Sequence, residues 1–392
     1  MKATQEVSRI AALKKLGQSL WLDNISREFI TSGELARLRD EGVTGVTSNP
    51  TIFEKAVSGS SDYQRSLARL ASAGRTAEEI LWELMVEDIQ GAADIFRPVF
   101  DRTGGRDGFV SIEVSPDVAS DTTRTIAMAE ELHRRCARPN VMVKIPATKA
   151  GIAAIRDQIA KGHNINVTLI FSVDRYVEVV HAFLSGLEDL KRRGGDVSRV
   201  ASVASFFVSR MDTKVDGRLR TLIAAEASSH ERKALQELLG KAGIGNSKIA
   251  YQRFKELHSG PRWEALNNAG AHVQRCLWAS TSTKDPTYRD TMYVEGLIGP
   301  DTVNTVPNHT LEAFADHGKV RRSLDDDVPG ARHHLEKLAE HSIDLEEITR
   351  QLEVEGVASF EKSYESLGEV IGQALQNIGA GKPLKEANGS ER

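Results

Sequence analysis

Lys144 stands inside an apolar, β-branched run, Val141-Met142-Val143-Lys144-Ile145-Pro146-Ala147-Thr148. An ammonium is costly to bury, and a desolvated lysine lowers its pKa toward the neutral amine. That neutral amine is the form that attacks a carbonyl to make a Schiff base. A plainer reading of the octapeptide stays open, since a lysine near a strand end can snorkel to water or pair with a carboxylate. Other apolar runs carry polar residues at the same end. They are Asp23 after Leu20-Trp21-Leu22, Thr47 and Asn49 within 43–50, and Ser111 and Glu113 within 109–114. Asn166 and Thr168 follow within 165–172, then Ser205, Ser209 and Arg210 within 200–211, where apolar Phe207 shares the side of Ser205 and Ser209, and Ser280, Ser282 and Lys284 from 276 onward.

Side chains two apart on a strand share a side, so each of these pairs points one way. One or two buried polar residues are ordinary core hydrogen bonding, but the same pattern on seven strands asks for a common partner. If they converge, the inventory suits imine chemistry on a sugar. Lys144 would attack a ketone, and the resulting iminium would draw electrons from a breaking C–C bond. Glu113 and Asp23 are the candidate acid/base carboxylates. Asn49, Asn166, Thr168 and Ser205 would meet hydroxyls, and Arg210 and Lys284 would meet a phosphate. Thr47 and Ser111 read more simply as structural hydrogen-bonders.

These residues must be positioned by something regular. Eight short strands alternate with helical segments along the chain, which implies parallel strands joined by crossover helices. An open doubly wound sheet and a closed (β/α)8 barrel both satisfy the alternation. The count of eight, and a first strand with no glycine-rich phosphate fingerprint after it, favour an α/β fold of the (β/α)8 TIM-barrel type with additional helices. One barrel domain is expected over 1–378, with a helical insertion at about 213–274, further helices at about 321–375, and a flexible tail over 379–392.

The chain has 392 residues, is 40% hydrophobic and 27% charged, and carries a formal net charge of −4. That balance argues against a general nucleic-acid or membrane-surface binder but leaves room for a local basic pocket. Cys136 and Cys276 are far apart and lack a CxxC partner, which fits a reducing, cytoplasmic compartment rather than a disulfide scaffold. No apolar signal-peptide core and no run of about 18 apolar residues is present, so neither export nor a membrane span is expected.

The segments Gly45-Val46-Thr47-Ser48-Asn49-Pro50-Thr51, Val143-Lys144-Ile145-Pro146-Ala147-Thr148, Asn166-Val167-Thr168-Leu169-Ile170-Phe171-Ser172 and Ala279-Ser280-Thr281-Ser282-Thr283-Lys284 resemble the transaldolase family. They are most similar to its branch with a long insertion before strand seven, and the match runs in order over about residues 20–320. The resemblance implies a class I aldolase-type barrel that needs no cofactor or metal. It implies a transferase of the pentose phosphate pathway, moving a dihydroxyacetone unit from sedoheptulose 7-phosphate to glyceraldehyde 3-phosphate. The products would be erythrose 4-phosphate and fructose 6-phosphate. By the same resemblance Lys144 matches the Schiff-base lysine, and Asp23 the acid/base at C–C cleavage. Glu113 matches the carboxylate that works with Thr168 through a bound water. Asn49, Asn166 and Ser205 match hydroxyl binders, and Arg210 and Ser280 match phosphate-site residues.

Aldolase-like relatives tend to carry Gln and Tyr where this chain has Glu113 and Phe207, so the transferase is expected over a fructose 6-phosphate aldolase-like lyase. One departure is that Ser282 stands where a second phosphate-site arginine is expected, and Lys284 is read as its substitute. A third reading, a barrel that serves only as a scaffold, is disfavoured by Lys144 and its acid/base companions. Sugar phosphates are the expected partners, and monomer and homodimer both stay open.

Three further features point elsewhere. His333, His334 and His341 lack metal-ligand spacing and read as a solvated helix face. Residues 240–248 faintly suggest a phosphate loop, but Asn246 stands where that loop needs lysine. Asp325-Asp326-Asp327 reads as a helix start or solvated turn.

Overall fold

Parallel pairing runs unbroken around eight strands. They are β1 (Gln18–Leu22), β2 (Gly45–Val46), β3 (Val110–Glu113), β4 (Val141–Pro146), β5 (Ile165–Ile170), β6 (Ser202–Phe207), β7 (Arg275–Ala279) and β8 (Thr302–Val306). β8 pairs back onto β1, closing the barrel in chain order. This is a computed structural model, and it describes residues 8–379. The expected tail therefore lies outside the described residues, apart from Gly379, which ends the last helix.

Alternation along the strands divides the apolar side chains in two. Val141, Val143 and Ile145 of β4, with Ala204 and Phe206 of β6, pack outward among the helices. Trp21, Phe109, Met142, Val203, Leu277 and Val303 belong to a separate buried cluster that fills the barrel. After Trp21, Phe109, Met142, Val203 and Val303 the next inward position is polar (Asp23, Ser111, Lys144, Ser205 and Thr305), whereas after Leu277 it is Ala279. The N-terminal end of the barrel is closed by Arg275, which donates to Ser19 Oγ at 2.8 Å and lies 5.7 Å over the Trp21 ring. Asp107 completes this floor, accepting from Ser19 Oγ at 2.6 Å and Trp21 Nε1 at 2.9 Å. β2 is short where it passes the Trp21 indole: a Cβ on Gly45 would lie 2.7 Å from both that ring and the Phe109 carbonyl oxygen.

Helices surround this barrel: α1 (Arg9–Lys15), α2 (Arg27–Thr31), α3 (Glu34–Glu41), α4 (Pro50–Gly59), α5 (Gln64–Ser72), α6 (Ala77–Arg102), α7 (Thr122–Cys136), α8 (Lys149–Ala160) and α9 (Val173–Arg192). Short polar residues start many of them. Asn49, Thr76, Asp121, Thr148 and Ser172 each accept a backbone N–H of the first turn, and Thr76 with Glu79 forms a full capping box. Between β6 and β7 lie α10 (Ser209–Ala225), α11 (Ser229–Gln236), α12 (Ala242–Leu257) and α13 (Gly260–Asn267). After them come α14 (Met292–Gly296), α15 (Asn308–His317), α16 (Val328–Glu340) and α17 (Leu345–Gly379). Asp327 caps α16 by accepting from Gly330 N at 3.0 Å.

Two strand ends differ from the sequence reading. The run 200–211 was expected as one strand, yet β6 stops at Phe207 and Ser209 opens α10, which puts Arg210 in a helical first turn. Val208 N and Ser209 N still donate to Ala279 O and Ser280 O at 3.0 Å, so the β-like residues keep the pairing as the chain turns. β5 carries an irregularity between Val167 and Ile170, with Leu169 at φ +58°. α4 was not anticipated, because its first turn follows an Asn-Pro that reads as a plain turn.

Candidate active site

The strand register places Glu113 beside Lys144 and Lys144 beside Asn166, with Thr168 beside Pro146 at the next level. Lys144 is 5% exposed. Its Nζ donates to the Ser48 carbonyl oxygen at 2.9 Å and lies 3.0 Å from Glu113 Oε2. The amine thus faces a carboxylate and a carbonyl; the apolar β4 neighbours Val143 and Ile145 pack outward instead. The plain alternative of pairing with a carboxylate and the placement of Lys144 in a cavity are both realised. Ser48 is itself fixed, its hydroxyl donating to Ser111 O at 2.6 Å.

Burial pushes the Glu113 carboxyl above the usual carboxylate range, with Lys144 pulling the other way. Neither Glu113 oxygen has a directional hydrogen bond from the described residues, despite the ion-pair contact, and Thr168 Oγ1 is likewise buried without a partner. Glu113 Oε1 and Thr168 Oγ1, both buried beside the lysine, are therefore left for a bridging water.

Asp23 sits just past β1, where its backbone N donates to Val306 O at 2.8 Å and its side chain accepts from Thr47 Oγ1 at 2.9 Å. Asn49 uses its Oδ1 to cap α4, accepting from Ile52 N at 3.0 Å. Asn166 is fully buried, with both ends of its amide engaged: Nδ2 donates to Ser111 Oγ at 3.0 Å, and Oδ1 accepts from Ser205 Oγ at 2.7 Å. It lies behind the surface that Ser205 presents.

These groups surround a cavity of about 420 Å³ at the C-terminal end of the barrel. Of the residues singled out from sequence, Lys144, Asp23, Thr168, Asn49, Ser205, Phe207, Arg210, Ser280 and Lys284 line it, while Glu113 and Asn166 sit one layer behind. Phe207 packs against Phe171, ring centroids 5.2 Å apart, and carries the Arg210 guanidinium 5.1 Å above its own ring. Burial pulls Arg210 down from its ordinary value, with Asp23 and Glu113 opposing. Ser280, at φ +56°, has its Oγ 2.9 Å from Ser209 Oγ, and Lys284 donates to Ser282 Oγ at 2.8 Å.

Several lining residues were not singled out. Thr47 lines the cavity and, in keeping with its reading as a structural hydrogen-bonder, donates to Asp23. Lys55 comes from the unanticipated α4, His309 from α15, and Ser359 and Phe360 from α17. No local pattern marks the last two, since only the tertiary path of α17 across the barrel mouth brings them in.

A buried amine paired with a carboxylate, a second carboxylate beside it and cations at the rim can form an imine, move protons and hold an anionic tail. Among the described residues no cluster of His, Cys, Asp or Glu is arranged to hold a metal, and no helix is long and apolar enough to cross a membrane. Comparison with known proteins bears on the family of the chain. The family model for transaldolase/fructose-6-phosphate aldolase matches residues 20–371. A transaldolase 1 of Streptomyces avermitilis is 48% identical over 379 residues, covering 95% of this chain and 97% of that protein. A transaldolase of Parafrankia sp. is 48% identical over 368 residues, with 93% and 98% covered. One from Trichodesmium erythraeum is 42% identical over 363 residues, with 92% and 96% covered. A barrel whose strand ends converge on Lys144, matched almost end to end by such relatives, belongs to the transaldolase family.

Proposed function

We propose that this chain is a transaldolase working through a Schiff base on Lys144, and that it moves a dihydroxyacetone unit between sugar phosphates in the pentose phosphate pathway. The observation that carries the reading is the Lys144–Glu113 contact of 3.0 Å at the base of a cavity rimmed by Arg210 and Lys284. The ammonium gives a proton to Glu113, and the amine adds to the ketose carbonyl. Returning that proton, with Thr168 and a water as the bridge, expels the carbinolamine hydroxyl as water and leaves the iminium. Asp23 then removes the proton from the C4 hydroxyl, the C3–C4 electron pair flows into the iminium, and the aldose phosphate departs. The acceptor aldehyde takes the bound three-carbon unit as Asp23 returns the proton, and hydrolysis frees Lys144.

Asn49 and Ser205, with Asn166 behind, meet the sugar hydroxyls. Arg210, Ser280 and Lys284 meet the phosphate. Phe207 keeps an apolar wall near the reacting carbons, which protects the bound carbanion from protonation until an acceptor arrives. Cys136 and Cys276, both buried and free, suit a reducing cytoplasmic setting.

An assay of fructose 6-phosphate with erythrose 4-phosphate tests the reading. Sedoheptulose 7-phosphate and glyceraldehyde 3-phosphate are expected in equal amounts, with little free dihydroxyacetone when the acceptor is left out. Rapid release of dihydroxyacetone without acceptor would instead mark an aldolase-type lyase.

A further inference from the structure

The phosphate end of this cavity is asymmetric. Ser282 stands where the resemblance expects a second arginine, so one wall offers only Arg210 and Lys284. Another part of the lining is α4, and it presents a third cation. Thr51, Ile52 and Lys55 all line the cavity, and positions 51 and 55 are one helical turn apart. α4 is held in place at three points. Asn49 caps it, Thr51 Oγ1 lies 2.7 Å from Ser363 Oγ, and Glu54 accepts from Ser366 Oγ at 2.6 Å. The last contact commits the neighbouring carboxylate to α17. Glu355, whose charge reaches Arg210, is similarly committed to Lys214 at 2.5 Å.

Among the described residues, no carboxylate oxygen lies within 4.0 Å of a side-chain nitrogen of Lys55, Arg210 or Lys284. Three cations from three segments therefore share one opening with no carboxylate in direct contact, although Asp23 acts on both Arg210 and Lys284 from a distance. Burial pulls the Lys284 ammonium down, and Arg210 and Lys55 add to that fall while Asp23 opposes it. A dianion between them would relieve the mutual repulsion.

We propose that Lys55 is the third cation of the phosphate-binding set, and that with Lys284 it replaces the fork of a second arginine by two point charges from separate segments. The inference rests on the proposed transaldolase reading of this cavity. It makes Lys55 a residue that selects phosphorylated substrates, rather than a solvated lysine at the rim.

The test compares K55M and K55R in the full chain, using glyceraldehyde 3-phosphate and unphosphorylated D-glyceraldehyde as acceptors and inorganic phosphate as a competitive inhibitor. For K55M, the KM for glyceraldehyde 3-phosphate and the Ki for phosphate should both rise roughly ten-fold. Over the same comparison kcat and the KM for D-glyceraldehyde should move by less than about two-fold. K55R should recover most of the loss. Unaltered constants, or equal losses with both acceptors, would overturn the proposal. Borohydride trapping on Lys144 separates the two levels: a K55M protein that traps normally but shows no phosphate effect sinks the Lys55 role alone. An unsubstituted protein that fails to trap sinks the parent reading.

Discussion

Lys144 and Glu113 are buried together, and each is the other's charge partner at 3.0 Å. Removing one carboxylate oxygen set therefore touches proton transfer and electrostatics at once. Glu113→Gln keeps the shape but can no longer take the lysine proton, so kcat should fall by about 10²–10⁴-fold. Single-turnover kinetics should show slow imine formation at Lys144, whereas an unchanged rate would remove Glu113 from the mechanism. Phe207→Tyr should act differently. A phenol between Phe171 and Arg210 adds a proton donor to an apolar wall, so release of dihydroxyacetone without acceptor should rise as transfer falls. A product ratio that stays fixed would contradict the role given to that wall. At this scale the candidates were legible because Asn, Thr, Glu and Lys interrupt strands that are otherwise apolar on both faces. Thr47 was visible too, but its spacing gave no hint that its hydroxyl would be spent on Asp23.

At the scale of elements, the helices between β6 and β7 are tied to the segment that carries Lys284. Asp212 of α10 accepts from Gly243 N at 2.7 Å and from Tyr293 OH at 2.8 Å. Asp216, one turn on, accepts from Gly240 N at 2.9 Å and from Tyr288 OH at 2.6 Å, and Arg220 pairs with Asp285. The N-terminus of α12, the helix bearing Arg210 and the loop after Lys284 are thus knitted into one unit. Burial pushes Asp212 up to about 6, against an unfolded value of about 3.9. Between those values the folded chain holds a proton that the unfolded chain lacks, so this group's contribution to stability falls as pH rises from about 4 to 6. Melting curves of the unsubstituted protein and Asp212→Asn should show it. The stability difference should shift against the native aspartate by on the order of 2 kcal/mol across that window. A difference that is flat with pH would place the ionisation elsewhere.

α17 is the other element the sequence could not place. Its helical pattern is plain, but its path over the cavity depends on distant contacts such as Thr51–Ser363 and the packing of Phe360. Phe360→Ala should cost about 3–5 kcal/mol in chemical denaturation and also raise KM. A loss of stability with an unaltered KM would mean that α17 covers the site without shaping it.

For the molecule as a whole, the barrel explains why so much could be read in advance. Eight strands, an alternating βα order and polar residues at one strand end are local or near-local features, and closure follows from them. Placements that failed are those where the chain turns, as at Ser209, or where a separate helix reaches the site, as with Lys55 and Phe360. The protein has a net charge of −4, yet cations ring the cavity mouth. Such a local field is screened over a Debye length of about 8–10 Å at physiological salt, so kcat/KM for phosphorylated donors should fall with ionic strength. The same salt should leave D-glyceraldehyde as acceptor nearly unaffected. The central claim is nonetheless a covalent one. Incubating the protein with fructose 6-phosphate, adding borohydride and mapping the adduct by mass should place one reduced three-carbon unit on Lys144, and Lys144→Ala should lose both label and transfer. Label on another residue, or full transfer by Lys144→Ala, would contradict the account.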